Sequence, residues 1–280
     1  MSTLFQATLQ LANRLGVLRT STASDDGGDS TTVKDSKRTE KDDTFNGGAL
    51  WVITDAGGES AAPEGEWARV SDFVNTDGVI TISEVTADVE EDDTYGICAG
   101  KFSLDKLISA INNEIVKHKV VRYDRTSLDI ISGQSEYTLP AGIRKDNLLN
   151  VYEETDSDTS DSKPTPLNFE VQTAAAGSQH TLVIKSRDVT AGNDIMLEYR
   201  TALTPLYLAS DTIDDSLPLA RILDSAAAHA RLLSMSTGGA VSKLEIAAID
   251  WHREDAALAR AENPIRLPSK RGTVNESAGD

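Results

Sequence analysis

Cysteine is nearly missing from this 280-residue chain, where Cys98 stands alone. A single thiol excludes an internal disulfide and any cysteine-built zinc site, and it makes a reducing cytosol the expected place of synthesis. Long hydrophobic runs are missing too: none approaches the roughly 18 residues that a membrane span needs. Mean hydropathy is -0.31 with 39% hydrophobic residues, so a globular protein with a proper core and no membrane partner is expected. The N-terminus, MSTLFQATLQLANRLG, carries its only basic residue late and lacks the order of a signal peptide.

Positive charge is scarce. Lys and Arg number 27 against 45 Asp and Glu, a net charge of -18. Residues 1–100 carry 7 Lys/Arg against 19 Asp/Glu, so most of the excess lies in the first third. Such a surface repels phosphate, which argues against sequence-reading contacts to DNA. It fits solubility at high concentration, and also a surface past which nucleic acid moves without sticking.

Catalytic signatures are lacking as well. His118, His180, His229 and His252 form no H-E-x-x-H pattern. Ser103-Leu-Asp-Lys106 matches S-x-x-K without its S-D-N or K-T-G companions, and reads as a helix start. Asp156-Ser-Asp158 imitates a calcium loop, but Asp161 stands where its glycine belongs and Leu167 where its Glu belongs. Glu90 to Asp93 reads as a water-facing acidic turn. Gly47-Gly48 and Gly57-Gly58 punctuate strands and open no phosphate-binding helix. Trp51 and Trp67 could form a sugar platform, although tryptophans on alternating strands are more often core. No enzyme, metal or cofactor is expected.

What is present is a helical frame interrupted by strands. The spacing of Leu4, Leu11, Ala12 and Leu15 predicts one helical face stopped by Gly16. Thr20 to Thr32 reads as a linker. Short apolar runs at Ala49–Ile53, Trp67–Val74 and Val79–Ile82 predict a small β-module between residues 33 and 100. Leu104, Leu107, Ile108, Ile111 and Ile115 predict a helix with Ser103 at its N-cap. Ser127 to Leu139 reads as a hairpin, and Leu148–Val151, Thr181–Lys185 and Ile195–Tyr199 as strands. After Pro218, Leu219, Ile222, Leu223, Ala226, Ala230 and Leu233 form a stripe; Ser242 to Glu245 matches a capping box before a second helix through Trp251 and Leu258. The expected fold is α+β: a helical bundle of about four helices with two β-rich insertions and an extended C-terminal arm. Its expected parts are residues 1–19 (N-terminal helix), 20–32 (linker), 33–100 (acidic β-module), 101–126 (core helix), 127–200 (β-hairpin and sheet domain), 201–263 (αα-hairpin) and 264–280 (arm). The last part reads as a frayed tail in a monomer. In an assembly it is an arm, with apolar anchors Ile265 and Leu267 beside basic Arg266, Lys270 and Arg271.

This order of parts carries Leu-Ala-Asn-Arg-Leu-Gly ending at Gly16, Phe45-Asn-Gly-Gly-Ala-Leu-Trp51, Leu107-Ile-Ser-Ala-Ile-Asn112, Gly133-Gln-Ser-Glu-Tyr-Thr-Leu-Pro-Ala-Gly142 and the helix from Pro218 to Leu233. Over most of residues 1–263 it resembles the head-to-tail adaptor (neck or connector) proteins of tailed bacteriophages. The resemblance implies a virion structural protein in a ring, typically twelvefold, below the portal protein and around the DNA channel, with further neck or tail proteins as partners. It implies that helices pack between subunits, here through Leu219, Leu223, Ala226, Ala230, Leu244 and Trp251, and that the arm docks on the portal. The β-module exceeds the simplest members of that family and reads as an accessory. A glycan- or receptor-binding module built on it is the alternative function.

Overall fold

The described residues form fifteen strands in four sheets and four α-helices. The computed structural model describes residues 2–57, 61–155, 164–173, 179–235 and 243–262. The protein is therefore mostly β-sheet, and the expected helical bundle with β insertions is overturned. The chain divides into two compact units, Met1–Lys117 with Thr204–Ile265, and His118–Leu203 with Arg266–Asp280.

The first unit opens with β1 (Ser2–Thr3) and α1 (Leu4–Arg14). Thr3 and Gln6 form a reciprocal capping box: each backbone N–H donates to the other's side-chain oxygen at 3.2 Å. The next N–H groups, of Leu4 and Phe5, donate to Asp211 and Ala209 carbonyls at 2.7 and 3.1 Å. The helix start therefore has its orphan donors satisfied. Gly16 at φ +69 ends it, as expected.

Six strands follow: β2 (Arg19–Thr22), β3 (Thr32–Lys34), β4 (Ala49–Thr54), β5 (Trp67–Val74), β6 (Val79–Ile82) and β7 (Thr94–Cys98). They form one antiparallel sheet in the order β2-β7-β4-β5-β6-β3. The chain just past β2 returns to β3, where Ser24 N–H donates to the Lys34 carbonyl at 2.9 Å and Asp25 bridges Lys34. That contact draws the two end strands towards each other and curls the sheet into a partly closed barrel. The barrel is filled by alternate residues such as Leu50, Val52, Val70, Phe73, Ile80, Tyr95 and Ile97. The segment expected as a linker, 20–32, supplies β2 and this closure; its polar composition hid a strand whose partners are backbone groups.

The module is not an accessory. Leu50 and Val52 of β4 point into the barrel, so Ala49 and Trp51 point out, and both are fully buried. Trp51 Nε1–H donates to Thr8 Oγ1 of α1 at 3.0 Å. Gly96 of β7, paired with Trp51, leaves room there: a Cβ would meet Leu18 Cδ1 at 2.8 Å and Leu9 Cδ1 at 3.4 Å. Helix and barrel thus share one packed seam.

α2 (Leu104–Ile115) comes after a short 3₁₀ turn at Gly100–Phe102. Ser103 sits at its N-cap position but its side chain makes no capping bond.

The second unit holds β8 (Lys119–Asp124), β9 (Glu136–Thr138), β10 (Leu148–Glu154), β11 (Thr165–Pro166), β12 (Phe169–Gln172), β13 (Thr181–Ile184) and β14 (Asp194–Ala202). β11-β10-β14-β8 form one sheet and β12-β13-β9 another, with Val151, Leu197, Tyr137, Leu182 and Ile184 meeting in a shared core. Two expectations fail here. Residues 119–124, expected inside the core-helix part, are strand β8. The expected hairpin at Ser127–Leu139 does not form: β9 pairs with β13, while Asp129 only bridges Asp194.

Back in the first unit, β15 (Thr212–Ile213) pairs with β1, and α3 (Leu219–Met235) and α4 (Lys243–Glu262) follow. α3 packs against α1, α2 and α4, so it is the middle helix. Arg14 of α1 pairs with Asp224 of α3, and Arg231 donates to the Leu15 carbonyl at 3.0 Å. No helix among the described residues is long and apolar enough to cross a membrane.

Candidate interaction surface

The residues expected to join subunits separate into two groups. Leu223, Ala226 and Ala230 are 0% exposed and are consumed within the subunit, where their small side chains let α3 lie close to its neighbours. Leu219 is half-buried. These alanines are core and not a surface between copies. Trp251, in contrast, is 57% exposed. Leu244 lies in α4, but its side chain is outside the described residues, as is Ser242 of the expected capping box. The arm residues Ile265, Arg266, Leu267, Lys270 and Arg271 also lie outside them, as does the acidic loop 156–163.

α4 is two-faced in an unexpected sense. Ile249, His252 and Ala256 face inward and are buried, while Ile246, Trp251 and Leu258 face outward with Asp250, Arg253 and Glu254 between them. Apolar residues on both sides of a helix signal a second partner. Periodicity alone marked only one side.

A groove of about 550 Å³ runs along the free side of α2. Ile108, Val116, Pro205 and Tyr207 give it apolar walls, and the exposed Ser109 also lines it. Asn112 builds one wall by clamping the backbone of Leu206, donating at 2.7 Å and accepting at 2.8 Å. Asp211 orients the next turn by accepting the N–H groups of Tyr207 and Leu208 at 2.7 and 2.9 Å; these bonds hold its carboxyl below the usual range. Tyr207 and Leu208 are thereby left 68% and 64% exposed. Arg69 of β5 closes one end with a two-pronged bond to Asp105 at 2.5 and 3.1 Å, which lowers the Asp105 pKa. The groove went unseen in the sequence because Pro205 and Tyr207 lie far along the chain from α2.

The residues weighed for chemistry are held in structural roles. Trp51 is buried and bonded, so no platform with Trp67 faces solvent. Lys106 Nζ donates to the Lys101 carbonyl at 3.0 Å, away from a partnership with Ser103. Asp93, expected to face water, is fully buried and accepts the Ala56 and Glu90 N–H groups at 2.7 and 2.8 Å. His229 contacts Asn113 at 3.4 Å, and burial with the nearby Lys117 lowers its pKa. Burial pushes the Cys98 thiol up to about 11. Among the described residues no group of three or more His, Cys, Asp or Glu could hold a metal ion.

One buried polar network was not foreseen. Tyr95 donates to Asp35 Oδ2 at 2.7 Å and accepts from Arg38 Nε at 2.9 Å, inside the barrel end. Burial opposes ionisation of Asp35, but bonds from Ser21, Tyr95 and the Lys37 N–H outweigh it and lower the pKa. Arg38 also stacks on Phe45 and Tyr95, and pairs with Glu40 at 3.3 Å. This arrangement pins the 35–45 segment across the barrel. No protein-family model matches the chain, and no curated protein sequence matches it.

Proposed function

We propose that this chain is a virion structural protein, a head-to-tail adaptor that forms a ring below the portal protein and around the DNA channel of a tailed bacteriophage. The observation that carries the reading is the uncovered apolar face of α4, where Ile246, Trp251 and Leu258 are 49%, 57% and 59% exposed. Trp251 and Leu258 stand one heptad apart on one face, with Ile246 at its margin; large apolar side chains exposed together call for a protein partner, and tryptophan is a favoured anchor of such contacts. The motif order described above supplies the family, and the net charge of -18 suits a wall that DNA passes without binding. In this reading Ile265, Arg266, Leu267, Lys270 and Arg271 form the arm that docks on the portal, and the protein resides at the neck of the virion.

The glycan-binding alternative loses its main support with Trp51 inside the core. Immunogold labelling of particles from the producing host separates the readings. The adaptor reading requires label at the head–tail junction. Label on the outer tail favours the binding module, and unlabelled particles overturn both.

A further inference from the structure

Helix α4 is held on the first unit mainly by one neighbour. It packs against α3, whereas α3 is also held by α1 and α2, and α1 is tied to the barrel through Thr8 and Trp51. Among the described side chains of α4 only Ile249, His252 and Ala256 are buried, with Ala248 and Asp255 half-buried. A 20-residue helix resting on so small an apolar contact opens more readily than a core element. His252 lies in the middle of that contact, 3% exposed. Arg231 of α3 and Arg14 of α1 act on it as like charges, and Asp255 of α4 as the opposing one. Both arginines are fixed in place: Arg231 donates to the Leu15 carbonyl at 3.0 Å, and Arg14 pairs with Asp224 of α3. His229 differs. It is half-buried and meets α2, where Lys117 and Glu114 are bonded to each other at 2.6 Å.

We propose that α4 is an acid-released latch: a proton on His252 drives the helix off α3 while the barrel and α1 to α3 stay folded. A buried imidazolium loses its hydration and gains only Asp255 as counter-charge, against two guanidinium groups whose own bonds keep them near. Undocking α4 returns the ring to water. The strain is relieved there because α4 is the helix with the least buried apolar contact and one main neighbour, so the rest of the unit need not open. Burial and both arginines hold the docked imidazole below its ordinary pKa of 6.5. Docking is therefore unaffected above that pH and weakens as pH falls below it, where the released helix binds a proton that the docked one resists. Trp251 and Leu258 travel with α4, so the exposed apolar face keeps a fixed place on the protein only near neutral pH. No ring or virion is needed for this behaviour.

Hydrogen–deuterium exchange on the full chain tests this, with rates corrected for the intrinsic effect of pH. Each unit between the docked and free pKa is worth about tenfold in the docking equilibrium. Between about pH 7.5 and about pH 5, peptides of α4 should therefore lose protection about fivefold or more relative to peptides of β4 to β7. His252→Asn cannot take the proton and should make α4 exchange independent of pH over that range. His229→Asn should keep the wild-type response. Arg231→Gln removes one of the two cations, so release should need a lower pH, a shift that a purely structural role of His252 would not give. Circular dichroism at neutral pH checks that each variant is folded, and the wild type and Arg231→Gln carry the test if His252→Asn is not. Four results overturn the proposal: α4 protection that holds at the acid end, protection lost from α4 and the barrel together, an acid response that survives His252→Asn, or an Arg231→Gln midpoint that stays in place. Immunogold labelling bears on the adaptor reading alone, so either reading can fail without the other.

Discussion

Trp51 joins the barrel to the helices through one side chain. Its ring fills the seam beneath α1, and its N–H satisfies Thr8 Oγ1, which itself donates to the Phe5 carbonyl at 2.9 Å. Trp51→Phe keeps most of the buried area and leaves Thr8 with one bond fewer, so a loss of about 1–2 kcal/mol is expected. Trp51→Ala opens a cavity and should cost about 3–5 kcal/mol. Urea unfolding reads both; equal losses would show that the ring's volume contributes nothing beyond its hydrogen bond. His252 gives a pH prediction. Burial lowers its pKa below 6.5, Arg231 of α3 and Arg14 of α1 act in the same direction, and Asp255 opposes them. With the folded pKa below the unfolded one, both states are neutral above pH 6.5 and this group gives no slope. As pH falls below that value, the unfolded chain takes up a proton that the folded chain resists, and stability declines. His252→Asn should flatten the decline in urea midpoint between about pH 6.5 and 5, with a remainder from His229. An unchanged slope would remove His252 from the account.

Elements here are fixed as much by glycine as by hydrophobic pattern. A Cβ on Gly48 would stand 1.9 Å from the Cys98 carbonyl oxygen and 2.7 Å from that of Phe45. The Cys98 oxygen cannot move without disturbing the end of the β4–β7 ladder, and the Phe45 oxygen holds the turn by accepting the Gly48 N–H at 2.8 Å, so Gly48→Ala should cost roughly 2–4 kcal/mol. Gly96→Ala meets only the flexible ends of Leu18, Ile53 and Leu9, and should cost about 1 kcal/mol or less. Thermal unfolding of the two variants should rank them in that order; the reverse ranking would mean that the α1–barrel seam is the tighter contact. Helices α1 to α4 were legible because their apolar stripes repeat over three turns or more. Strands β1, β2, β11 and β15 were not, since two to four polar or short residues carry no period and their partners are distant backbone groups. Counting periodic segments therefore overweighted the helices and produced the wrong fold class.

At the scale of the whole molecule, charge and surface shape the expectations. The charge of -18 favours separation of copies in low salt, whereas the exposed α4 face favours their contact, so self-association should strengthen as salt rises to screen the repulsion. Light scattering at two salt concentrations checks this; weaker association at high salt would place ion pairs, and not the apolar face, at the heart of the contact. The arm gives the remaining prediction. Deleting residues 265–280 leaves α4, which ends at Glu262, so the melting temperature should hold, while under the adaptor proposal binding to a portal protein should be lost. Full portal binding by the truncated chain would end the docking role of Ile265 and Leu267.

By itself the sequence determined the local chemistry: an acidic chain with one cysteine, four helices with their main stops, and the strong strands β4, β5, β6, β10, β13 and β14. Those are written in short-range spacing and composition. Only the tertiary structure decided that residues 20–34 draw the two ends of the sheet together, that Trp51 lies beneath α1 and not in solvent, and that the alanines of α3 are core. It alone decided that Trp251 faces outward and that Pro205 and Tyr207 wall a groove on α2. The physical reason is common to all of these. Burial is a property of what the other side of an element meets, and that partner lies tens to hundreds of residues away along the chain.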